Sequence, residues 1–330
     1  MSFPLNLYLG SLLSGCLATA LSMPFWRRWC AARGLVDEPG ARKIHAEPIV
    51  LAGGLAVLTG LLLPILVGTF GLLALRGAVP GWNPELLIYG LDRRKIQLGI
   101  ILAGACGMVF LGWLDDKYEL TPSRKFAGQL AIAGLVAASG VRITLFVPSV
   151  TFSYLITILW ILTLTNALNF MDNMNGLCPG IGIIGTACFA ASAAVQGQYL
   201  VALIALQTCG ALLGFLPFNF PRASSFLGDS GSHLVGYLLA VLAILPHYYS
   251  QTHTVRWAVA SPLLILAVPL IDLVWVVVLR WQAGRPFYVG DTNHLSHRLV
   301  RLGLSKTTAV LLIWFAAAST GSIAILLLTL

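Results

Sequence analysis

Apolar stretches long enough to cross the hydrocarbon core of a bilayer, about 17 to 25 residues as helices, recur along this chain from end to end. They begin near positions 3, 51, 96, 153, 177, 199, 233, 257 and 307, and a shorter, glycine-containing one runs from Phe126 to Gly140. No other feature narrows the fold as far, because backbone inside lipid must satisfy its own polar groups, and only helices and closed barrels do so. With 58% hydrophobic and 10% charged residues among 330, an ordinary soluble globule, about a quarter charged, is excluded. The expectation is one all-α integral membrane domain over residues 1–330, with about ten transmembrane helices. The stretch between 141 and 150, with β-branched residues and Pro148, is expected to form a short hairpin on the outer side.

Charge supplies the orientation. The first apolar run has no basic residue before it and Arg27 and Arg28 just after it, the reverse of a signal peptide's charge order, so it reads as a permanent helix entering from outside. The loops after odd-numbered helices then carry fourteen of the twenty Lys and Arg, which satisfies the positive-inside rule and makes that side cytoplasmic. Nine of the twelve acidic residues fall in the same loops or their helix ends. Polar chemistry is therefore gathered on one face. The net charge of +8 follows from this orientation; no basic stripe interleaved with aromatics argues for nucleic acid. The six cysteines lie mostly in apolar runs without a Cys-x-x-Cys pair and read as small core residues.

Five polar segments carry the chemistry. Lys43 and His45 lie in the first inward loop, before Gly53-Gly54 at a helix entrance; glycines permit close backbone approach and helix N-termini favour anions, so Lys43 is a candidate phosphate contact. Asp115 and Asp116 end the third apolar run, followed by Lys117 and Lys125. Neighbouring carboxylates repel unless a cation lies between them, which favours a divalent metal. Asn166, Asn169 and Asp172 recur every three residues and share one side of a helix end, with Asn175 just beyond. Asn219 and Phe226 precede Gly228-Asp229-Ser230-Gly231, where a helix N-terminus suits a metal or phosphate better than a protease nucleophile. His294, His297 and Arg298 close the series as phosphate ligands or proton donors. Asp272, inside an apolar helix, is either a functional acid or a packing residue, and intramembrane acids favour function.

In this order the segments resemble the polyprenyl-phosphate N-acetylhexosamine-1-phosphate transferases over nearly the whole chain. The resemblance implies transfer of a sugar 1-phosphate from a UDP-sugar to undecaprenyl phosphate, with release of UMP, at the cytoplasmic face of the bacterial inner membrane. It implies Mg²⁺, or Mn²⁺ in its place, and partners limited to UDP-sugar, polyprenyl phosphate and the bilayer, with a homodimer left open. It makes Asp229 a metal ligand, Asp115 and Asp116 a catalytic pair that also serves metal, Lys125 a phosphate-neutralising lysine and Asp172 an essential acid. Asn219 and Phe226 fall near the uracil, and Asn166, Asn169, Asn175, His45 and Arg298 on the substrate.

Asn175 and Ser296 stand where many members carry aspartate and histidine. The contiguous histidine cluster of the peptidoglycan branch, the phospho-MurNAc-pentapeptide transferases, is absent from the final segment. GlcNAc-1-phosphate transfer for surface glycans such as O-antigen or teichoic acid is therefore the main expectation. A transporter or lipid flippase is the alternative of another class; it would place polar residues near the bilayer midplane instead of at one set of helix ends.

Overall fold

The structure, a computed structural model, describes residues 4–38, 47–74, 85–248, 256–286 and 292–329. Helices dominate: α1 (Leu5–Ala32), α2 (Gly53–Ala74), α3 (Glu85–Tyr118), α4 (Pro122–Ala138), α5 (Val150–Met171), α6 (Leu177–Val195), α7 (Tyr199–Phe215), α8 (Gly228–Ile244), α9 (Ser261–Ile265), α10 (Ala267–Gln282), α11 (Leu295–Arg301) and α12 (Lys306–Thr329). Seven of them, α1, α2, α3, α5, α6, α7 and α12, are long and apolar enough to cross a membrane, and α9 with α10 makes an eighth if counted as one span. That pair bends by 67° at Leu266, where a single run was expected from the sequence. α4 and α8 have 17 residues each, at the lower end of a spanning length. Every stretch expected to be helical is helical, and the chain is an all-α integral membrane protein.

Local signals explain several boundaries. Pro122 opens α4 behind Thr121, where its missing N–H costs nothing, and Ser149 caps α5 by accepting a hydrogen bond from the Phe152 amide. Large apolar side chains face outward along α1 (Leu13, Leu17, Leu21), α2 (Val67, Phe70), α5 (Leu155, Leu159) and α12 (Phe315, Leu326). In water such a surface would aggregate; against lipid it is the matching solvent.

α8 is the opposite case. Every residue from Ser230 to Ala243 is buried, as expected for a helix apolar all round, and α2, α3, α5 and α6 surround it. Glycines let these helices close in: a Cβ on Gly112 of α3 would collide with the backbone of Asp229 and Ser230, one on Gly54 of α2 with Ser230 and Gly231, and one on α8's own Gly236 with Leu164 and Thr165 of α5. Small residues at helix contacts are how membrane bundles gain packing.

The hairpin expected near 141–150 does not form. A turn closes there through Val147 N donating to Thr144 O at 2.9 Å, with Leu145 and Phe146 both at positive φ. The Ile143 amide is taken by Thr157 Oγ1 of α5, and Pro148 has no N–H, so ladder donors are missing on both sides of the turn. Among the described residues the two-stranded sheet is instead β1 (Val36–Asp37) with β2 (Ile49–Val50), antiparallel.

Candidate active site

Four chain segments meet at one end of the bundle: the C-terminus of α3, the start of α4, the C-terminus of α5 and the N-terminus of α8. Lys125 is the junction. Its Nζ lies 2.7 Å from Asp115 Oδ2 and 3.0 Å from Asp229 Oδ2, and it donates to Asn169 Oδ1 at 3.2 Å. Asn169 Nδ2 in turn donates to Asp229 Oδ1 at 2.6 Å and to Ser232 Oγ at 2.9 Å. Asp115 is further held by the Leu120 amide at 2.9 Å. Asp115, Lys125, Asn169 and Asp229, four of the residues expected from the sequence, thus form one hydrogen-bonded unit contributed by four helices.

Asp116 does something else. Its Oδ1 and Oδ2 accept from the Asp229 and Ser230 amides at 2.8 and 3.1 Å, so this side chain from α3 caps the N-terminus of α8, where the helix dipole favours a negative charge. The cap fixes the backbone of Asp229 itself.

Asp172 follows the last residue of α5. It is enclosed by protein yet keeps intermediate exposure, as a group on the floor of a cleft does, and among the described residues its carboxylate has no hydrogen bond or ion pair. Burial first, and then the charges of Asp229 and Asp116, push it up to about 8. Among the described residues, Asp115, Asp116, Asp172 and Asp229 against the ammonium of Lys125 leave an excess of negative charge if all ionise. No ready-made cluster of three metal-binding side chains exists among the described residues. Even so, the unshared carboxylate of Asp172 beside surplus negative charge suits a hard divalent cation. Asp116 and Asp229, both expected as ligands, each accept a hydrogen bond at both oxygens, Asp116 from the amides of α8 and Asp229 from Lys125 and Asn169, which leaves each oxygen a second lone pair.

Other candidates take structural positions. Asn219 is buried, accepting from the Gly176 amide at 2.6 Å and donating to Ser225 O at 3.1 Å, so its amide holds its loop against the start of α6. Asn175 donates to Pro221 O at 3.2 Å and ties the same two segments. Asn166 donates to Gln129 Oε1 at 2.8 Å, and Gln129 Nε2 lies 3.3 Å from His233 Nε2; this polar chain lies one helical turn beyond the Lys125 unit. Gly53 and Gly54, read as an anion contact, donate their amides to Phe226 O and Leu227 O at 3.0 and 3.1 Å, and their lack of side chains admits Phe215 and the start of α8. Phe226 is half-buried, its own amide bonded to Val50 O of β2 at 2.9 Å.

At the last segment, His294 Nδ1 lies 2.7 Å from Asp272 Oδ2, and Asp272 Oδ1 accepts from the Leu295 amide at 2.7 Å. Ser296 donates to Asn173 Oδ1 at 2.7 Å, joining α11 to the residues beside Asp172. His297 is half-buried with its ring centroid 6.5 Å from that of His294. Arg298 is exposed and lies over the Trp275 ring at 4.7 Å. Lys43 and His45 lie outside the described residues. The residue not anticipated is His233; it follows Asp229 by four positions, a spacing that puts it on Asp229's face of the helix.

Similarity to known proteins falls on the same segments. The pattern of glycosyl transferase family 4 matches residues 98–247, which contain Asp115, Asp116, Lys125, Asp172 and Asp229. The probable undecaprenyl-phosphate N-acetylglucosaminyl 1-phosphate transferase of Bacillus subtilis is 32% identical over 306 residues, covering 90% of this chain and 78% of the relative. The decaprenyl-phosphate N-acetylglucosaminephosphotransferase of Mycobacterium leprae is 33% identical over 321 residues, covering 86% and 76%. The undecaprenyl-phosphate alpha-N-acetylglucosaminyl 1-phosphate transferase of Escherichia coli K12 is 28% identical, covering 96% and 82%. With identity of this level across nine-tenths of its length, and the lysine-centred acid cluster inside the matched segment, the chain belongs to glycosyl transferase family 4.

Proposed function

We propose that the protein transfers GlcNAc-1-phosphate from UDP-GlcNAc to undecaprenyl phosphate, releasing UMP, as the first step in building a cell-surface glycan. The observation that carries the reading is the unit of Asp115, Lys125, Asn169 and Asp229, a cation held among carboxylates at one end of the helices. The names of the relatives support the same transferred group and acceptor class. The reading takes the protein to be a multi-pass protein of the bacterial inner membrane with about ten crossings, its acid cluster facing the cytoplasm, as the distribution of Lys and Arg suggests.

In the proposed reaction an oxygen of the lipid phosphate attacks the β-phosphorus of the UDP-sugar, and the bond from that phosphorus to the bridging oxygen breaks, leaving UMP with the electron pair. Phosphoryl transfer of this kind depends on positioning and charge neutralisation. Lys125 neutralises phosphate oxygens, and Asp115 orients the ammonium and the incoming lipid phosphate. Asp116 and Asn169 hold Asp229 in place. Mg²⁺, held by Asp172 and Asp229, belongs to the proposal and would neutralise the diphosphate.

Purified protein in detergent with Mg²⁺, undecaprenyl phosphate and radiolabelled UDP-GlcNAc should yield a labelled lipid and UMP in equal amounts. Absence of labelled lipid across a panel of UDP-sugars, with the protein folded, refutes the reading.

A further inference from the structure

We propose that Asp272 is a positioning residue for the transfer reaction: it keeps His294 protonated at Nδ1, so that Nε2 is the ring atom that exchanges a proton with the substrate's phosphates. The inference rests on the transferase reading and concerns a residue outside the acid cluster.

Asp272 needs a reason to exist. It sits in α10, whose neighbouring residues Ile271, Val274 and Trp275 are exposed on the apolar surface, and a carboxylate in such a helix is costly unless it is partnered. Its side chain is 2% exposed and that of His294 5%. Both oxygens are committed, one to His294 Nδ1 and one to the Leu295 amide, each at 2.7 Å. An ionised carboxylate only accepts, so the ring nitrogen facing it must donate. Nδ1 therefore carries the proton, and among the described residues Nε2 has no hydrogen-bond partner.

The ring is held as well as oriented. Phe170, at the end of α5, meets it edge-on at 6.2 Å between centroids, and Ser296 ties the same turn to Asn173. Asn173 adjoins Asp172, so the dyad is anchored to the segment that carries the unpaired acid of the cluster. With Nδ1 protonated, the Nε2 lone pair would take the proton of a monoprotonated lipid phosphate as its oxygen attacks, and the resulting imidazolium would return that proton to a phosphate oxygen of the departing UMP. A purely structural reading also exists, in which Asp272 merely caps α11 through Leu295.

Steady-state transfer from UDP-GlcNAc to undecaprenyl phosphate separates the two. Asp272→Asn should lower kcat by about 10²- to 10⁴-fold, since an amide can offer an N–H to Nδ1 and impose the wrong tautomer, with the KM for UDP-GlcNAc unchanged. Asp272→Glu should recover part of the loss. The variant pairing Asp272→Asn with His294→Ala should be no slower than His294→Ala alone, because the first residue acts only through the second. Losses that multiply in the double variant, a change confined to KM, or wild-type kcat in Asp272→Asn overturn the proposal. Where Asp272→Asn does not fold, Asp272→Glu combined with His294→Ala gives the same cycle. A wild-type protein inactive with every UDP-sugar overturns the transferase reading itself; an active wild type with additive variants overturns the dyad alone.

Discussion

Replacing Asp116 by asparagine should destabilise the protein, and replacing Asp172 by asparagine should not, although both change one carboxylate of the same cluster. Asp116 accepts two amide hydrogen bonds at the N-terminus of α8. Bonds to a charged group are worth about 1.5–3 kcal/mol each, and a charge at a helix N-terminus adds about 0.3–1 kcal/mol. Asparagine keeps one acceptor, loses the charge and turns an N–H toward an amide that already donates. The loss is therefore one bond and the dipole contribution, at most about 2–4 kcal/mol. Asp172 has no such partner, and burial with its acidic neighbours opposes its ionisation, so the neutral amide should leave stability unchanged or raise it in EDTA. Unfolding of both variants, followed by circular dichroism during titration of mixed micelles with denaturing detergent at pH 7.5, measures the contrast. If Asp116→Asn unfolds with the wild type while Asp172→Asn unfolds early, the cap is wrongly assigned and the roles of the two acids must be exchanged.

Three further outcomes follow from the geometry. Lys125→Met leaves Asp115 and Asp229 facing one another without a cation and should cost about 10²- to 10³-fold in kcat, the scale of losing one preorganised charge-stabilising donor, as read by the radiolabel assay. Gly112→Ala drives a methyl group into the backbone at Asp229 and Ser230; overpacking of about 1–3 kcal/mol should appear in the same unfolding titration, together with lost turnover. Asp172 also predicts a pH dependence. Its carboxyl lies at about 8 against an ordinary 3.8, so between those values the folded chain holds a proton that the unfolded chain has released, and stability in EDTA should fall as pH rises from 5 to 8. Asp172→Asn should reduce that slope, and a slope unchanged in the variant would assign it to another group.

The helices were legible because runs of this length and apolarity admit little else. The gathering of acids at one end was legible too, since alternate loops share a side. What the sequence could not disclose was which neighbour each polar group would meet. Asp115 and Asp116 are adjacent in the chain, but successive residues on a helix point about 100° apart. One therefore meets Lys125 of α4 and the other the amides of α8, a division of roles that a dipeptide conceals. Gly53-Gly54 misled for a related reason: close approach was correctly inferred, but the approaching partner is protein backbone instead of phosphate. Asn219 shows the same limit, its amide being bonded to two backbone groups 43 and 6 positions away that nothing in the sequence pairs with it. The hairpin expectation failed because β-branched residues near a turn cannot make a ladder once a neighbouring threonine has taken the amide.

The central placement of α8 bears on how activity is acquired during biogenesis. Asp229 rides on α8, which α2, α3, α5 and α6 surround, and its backbone is held by Asp116 of α3 and packed against Gly54 of α2. A partly assembled bundle therefore has acidic side chains but no site. For the same reason catalytic rate is a sensitive gauge of packing anywhere along that helix, including at glycines far from the phosphates.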